Sequence, residues 1–66
     1  MNRYMILEHG RLEADIATLD QRLAGTRRAP GLKVRSVLSF LSQLRRHKGE
    51  MLKELDRALA SQALTH

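Results

Sequence analysis

Few side chains in this sequence are of types that carry chemistry, and their spacing limits what they can do. His9 and Glu13 stand one helical turn apart, which brings an imidazole and a carboxylate to one helix face and is, in principle, a metal-binding pair. The chain has no cysteine and no third ligand at a suitable spacing, so no metal is expected. His47 sits inside a basic run and His66 is the last residue; both are expected to be solvated. Ser36, Ser39, Ser42 and Ser61 lack a histidine and carboxylate placed to activate them. Gly25 and Gly31 punctuate a turn and are not followed by a phosphate-cradling or dinucleotide fingerprint. Catalysis also needs a concave, partly dry pocket, which two helices alone do not form. Neither enzymatic activity, nor a cofactor, nor a small-molecule substrate is expected.

Charge is the stronger signal. Twelve Lys+Arg against seven Asp+Glu give a net charge of +5, unevenly spread. Residues 21–49 contain Arg22, Arg27, Arg28, Lys33, Arg35, Arg45, Arg46 and Lys48 and no acid, whereas residues 1–20 hold Glu8, Glu13, Asp15 and Asp20 against Arg3 and Arg11. Arg27, Arg28, Lys33, Arg35, Arg45 and Arg46 are therefore candidate contacts for nucleic acid or another anion. Against that, only Tyr4 and Phe40 could stack on bases, and no helix-turn-helix pattern appears. The alternative is a solvated basic face laced by helix pairs such as Glu8–Arg11, Arg11–Asp15, Arg46–Glu50 and Glu54–Arg57.

The elements that must position these groups are helical. Leu and Ala dominate, β-branched residues are few, and no strand-like alternation occurs. A chain of 66 residues makes one domain at most, 1–66. Its longest apolar run, Tyr4-Met5-Ile6-Leu7, is far short of the ~18 residues of a membrane span. Met1-Asn2-Arg3 leads into charged sequence rather than a signal-peptide core, so a cytoplasmic location is expected. Leu12, Ile16, Leu19 and Leu23 step by 4, 3 and 4, a heptad seam with His9 one step earlier. This predicts a helix over about 3–24, with Asn2 as a plausible cap. Gly25 to Gly31, with Pro30 between them, reads as the turn. Val34, Val37, Leu41, Leu44, Lys48, Met51, Leu55 and Ala58 predict a second helix over about 31–63. Leu38, Leu52 and Leu59 add a second apolar column beside that seam.

A short connection makes the helices antiparallel. Folding about residues 25–31 sets Leu23 against Val34, Leu19 against Val37, Ile16 against Leu41 and Leu12 against Leu44, with His9 opposite Lys48 as a polar seam layer. Beside Lys48 a protonated His9 would be repelled; alternatively Lys48 reaches water along its stem. The neighbouring Gly10 and Gly49 would permit close helix approach there or mark a bend. In this register the second helix overhangs the first, leaving Leu55 and Leu59 without an intrachain partner. The expected fold is an all-α antiparallel two-helix hairpin that dimerises into a four-helix bundle, with Leu38, Leu52, Leu55 and Leu59 at the subunit interface and Leu12, Ile16, Leu19, Leu41 and Leu44 in the hairpin core.

Two stretches carry a family likeness. Leu7-Glu8-His9-Gly10-Arg11-Leu12-Glu13-Ala14-Asp15-Ile16 resembles the His-x-x-Leu-acid-x-x-Ile stretch of the small bacterial YdcH-like proteins. Leu44-Arg45-Arg46-His47-Lys48-Gly49-Glu50-Met51-Leu52-Lys53-Glu54-Leu55 is similar to their second-helix pattern. Together the stretches cover a third of the chain. Gly49 departs from the pattern, as does the residue order around Leu52-Lys53-Glu54. The resemblance implies a short helical hairpin that self-associates, and no activity. The basic second helix around Leu44-Arg45-Arg46 also resembles the two-helix protein of the large ribosomal subunit, whose first-helix motif is missing here. The functional expectation is a non-enzymatic interaction or adaptor module whose partner is a second copy or another helical protein. The alternative is a small nucleic-acid-binding protein that uses the basic segment 22–48.

Overall fold

Leucine at helical spacing with few β-branched residues leaves the chain little choice but helix, and a computed structural model of the protein shows two of them. Residues 3–28, 31 and 33–64 are described. Helix α1 runs Arg3–Arg28 (26 residues) and α2 runs Val34–Leu64 (31 residues). They pack antiparallel into a rod of 53 × 14 × 13 Å. Neither helix is long and apolar enough to cross a membrane. The cap at Asn2, the segment Ala29–Pro30 and His66 lie outside the described residues.

The core is a single file of leucines. Leu12, Leu19, Leu23 and Leu41 are buried. Leu19, Leu23 and Leu41 form one cluster, with Leu38 and Leu44 packed against it. Ile16, placed with these by its spacing, is only half-buried. Among the described residues no side chain is completely buried, as expected where each helix has one neighbour and water on every other side.

The turn is shorter than 25–31, because α1 passes through Gly25 and ends at Arg28. Three effects outweigh the ~1 kcal/mol that glycine costs inside a helix. Leu23 is anchored in the core, Thr26 is half-buried one turn beyond it, and Arg27 and Arg28 in the last turn complement the helix dipole. The reversal falls at Gly31, whose φ is +156°. Its carbonyl then accepts a hydrogen bond from the Val34 N–H at 3.5 Å. Helix α2 therefore begins at Val34, not at residue 31.

A test follows from the position of Gly25. A Cβ there would meet nothing within 4 Å, so Gly25→Ala should stabilise the fold by about 0.5–1 kcal/mol in a thermal melt. At a left-handed helix end the same change would destabilise. A lowered melting temperature would therefore put the helix end back at Gly25.

Candidate functional site

The register of the hairpin decides which charges meet. Lys48 Nζ donates to Asp15 Oδ2 at 2.6 Å, and Arg45 Nε donates to Asp20 Oδ1 at 3.0 Å. His9 Nε2 lies 2.6 Å from Asp56 Oδ1, with its Nδ1 2.8 Å from Glu13 Oε1. Near the chain ends Gln62 Nε2 donates to Met5 Sδ at 3.3 Å.

These pairings correct the expected polar layer. His9 does not face Lys48; it meets Asp56, eight positions further along α2. Lys48 neither points to water nor touches His9, and ends on Asp15. A charged imidazole would thus sit between two carboxylates, not beside an ammonium, which removes the expected repulsion. The glycines serve no close approach either. A Cβ on Gly10 would meet nothing within 4 Å, and one on Gly49 would meet only Arg45 Nη1 of its own helix, at 3.0 Å.

The same shift removes the overhang. With α1 starting at Arg3 and Gln62 reaching Met5, the last turns of α2 lie beside the first turns of α1. Leu38, Leu52, Leu55 and Leu59 are all half-buried within the single chain, Leu38 against the leucine cluster. An uncovered end of α2 therefore gives no reason for association.

Part of the apolar surface that remains uncovered lies along one long flank. Glu8, Leu12, Met51, Glu54, Leu55 and Ala58 line an open apolar groove with a carboxylate on each wall. On the same flank Asp15, Thr18, Leu19, Arg22, Leu44 and Lys48 line a more polar hollow nearer the turn. Phe40 is 65% exposed, and Val37 and Met51 are each 42% exposed. At ~100° per residue all three fall on this flank of α2, whereas the His9–Asp56 and Arg45–Asp20 pairs close the other. Phe40 is in neither of the apolar columns read from the sequence, although its steps of three and four from Val37 and Leu44 are a seam spacing. Tyr4 and Leu7 are exposed at the start of α1, at 69% and 71%.

The basic residues gather around the turn end. Arg27, Arg28, Lys33 and Arg35 are exposed there, and Arg46 is exposed further along α2. Arg45 is half-buried and held by Asp20, so it is not brought together with the others. Of the helix-surface pairs, Glu8–Arg11 is present at 3.8 Å, while Asp15 is taken by Lys48 rather than Arg11. Among the described residues no group of three or more His, Asp or Glu could hold a metal ion.

No family model, curated protein or solved structure matches the chain.

Proposed function

We propose that this protein is a non-enzymatic, self-associating helical hairpin that serves as an interaction or adaptor module in the cytoplasm, with a second copy or another helical protein as partner. One observation carries the reading. Among the described residues four leucines make up the buried core, while Tyr4, Ile6, Leu7, Val37, Phe40, Met51 and Leu64 stand exposed. A 66-residue chain with no cysteine draws little stability from so small a core, and covering its apolar flank is a source of further stability. Kinship with the YdcH-like proteins belongs to the same proposal and rests on the two stretches quoted above.

Mass measurement at micromolar concentration tests it. Association should give an assembly heavier than the 7.5 kDa chain and a melting temperature that rises with protein concentration. A fully helical monomer with a concentration-independent melt would remove the proposal.

The exposed basic cluster at the turn end favours a second reading, nucleic-acid binding. If Arg27, Arg28, Lys33 and Arg35 contact phosphates, affinity for duplex DNA should fall with salt at a log–log slope of about −0.9 per contact. Removing two contacting arginines should then flatten the slope by about 2. A response unchanged by salt would exclude this reading.

A further inference from the structure

One column on α2 combines the exposed Val37, Phe40 and Met51 with the half-buried Leu44, Leu55 and Ala58, and its spacing is symmetric. Val37, Phe40, Leu44, Met51, Leu55 and Ala58 are separated by 3, 4, 7, 4 and 3 residues, a spacing that reads the same in both directions. At ~100° per residue all six lie within an arc of roughly 60°. Its centre is turned roughly 70° from Leu41, which faces α1, and its near edge, at Val37 and Leu55, about 40°. The midpoint falls between His47 and Lys48.

We infer that this column is the contact between two copies of the chain, packed antiparallel about a two-fold axis that passes beside His47, so that α2 lies along α2 of the partner and the hairpins form a four-helix bundle. The inference rests on the self-association proposed above and specifies its face and direction.

Three features lead to this geometry. First, a two-fold contact requires that if one residue meets a second, the second meets the first. About the 47/48 midpoint, Val37 pairs with Ala58, Phe40 with Leu55 and Leu44 with Met51. Every apolar member meets an apolar member, and the open groove at Met51, Leu55 and Ala58 receives the 65%-exposed ring of Phe40. Second, charge selects the direction. Glu8 and Glu54 wall the groove at the chain-end half of this flank, and Arg22 lies on the turn half, with Lys33 beyond it. Antiparallel copies set those carboxylates against the partner's basic half. Parallel copies bring the Glu8 and Glu54 carboxylates of both chains to one level, offset in part by Arg11 3.8 Å from Glu8, and stack the basic ends together, which is unfavourable for close like charges. Third, the area suffices. One flank of a rod 53 Å long and 14 Å wide offers a footprint on the order of 700 Å², close to the ~800 Å² per partner of a stable interface.

The absence of cysteine makes the test clean. His47→Cys puts one thiol per chain beside the axis, within the ~4.4–6.8 Å Cα separation of a disulfide. Mild oxidation should convert most of the protein to a covalent dimer of twice 7.5 kDa. Ser39→Cys, on an exposed position away from the column, should stay largely uncrosslinked. In a parallel bundle the two 47 positions are diagonal and do not crosslink. Independently, Phe40→Glu with Met51→Glu should halve the native mass while helicity by circular dichroism is retained, since both side chains are already exposed. A wild-type monomer would overturn the proposed function and this inference together. A wild-type dimer that resists both His47→Cys crosslinking and the double glutamate change would overturn only the face and direction assigned here.

Discussion

Leu41→Ala should remove about 2–5 kcal/mol from the stability of the hairpin, the largest effect expected of any single truncation of α2. Leu41 is its one buried residue and closes the cluster with Leu19 and Leu23. Total stability for 66 residues is on the order of 3–10 kcal/mol at typical per-residue values, so losing this side chain consumes a large share of it. With few neighbours to relax into the space, the cavity opens to water and the two helices lose their central contact. Thermal melts followed by circular dichroism, at one fixed protein concentration because association shifts the midpoint, give the number. Leu64→Ala is the control. That residue is 88% exposed, and its truncation should stay within about 0.5 kcal/mol of the parent. Equal losses at Leu41 and Leu64 would mean that the helices do not pack through this layer.

Gly31→Ala is expected to cost roughly 1–3 kcal/mol, the usual range for a residue held in a sparsely populated backbone region. Space is not the reason, because a Cβ at Gly31 would meet Val34 Cγ2 at an ordinary 3.7 Å. The cost lies in φ, which at +156° is a value that side-chain-bearing residues seldom adopt. Relaxing φ would re-aim the chain entering α2 and strain the Gly31 carbonyl contact with the Val34 N–H. The ion pairs that read the register, Lys48–Asp15 and Arg45–Asp20, would then loosen. Set beside Gly25→Ala, the two glycine changes should move the melting temperature in opposite directions. The same sign for both would mean that the reversal is not at Gly31.

That the chain is two helices followed from residue types and spacing, but the stripe of α2 that faces α1 did not: Val37 and Met51 of the expected seam are exposed, while Leu38, Leu52 and Leu59 of the column beside it are half-buried. Leu12, Leu19 and Leu41 were readable as core from steps of three and four, since a buried stripe must recur with the helical period. Those steps could not determine register. Sliding one helix past the other by roughly seven residues returns leucines to leucines, because the heptad pattern repeats at that interval. The slide covers the end of α2 and re-pairs the polar groups, taking His9 from Lys48 to Asp56 and bringing Lys48 to Asp15. The choice was made by the turn, where α1 holds through Gly25 and the chain reverses at Gly31, and by carboxylates on one helix meeting cations on the other. It is a tertiary decision, because the terms that distinguish one register from the next appear only when residues some 25 to 47 positions apart come into contact.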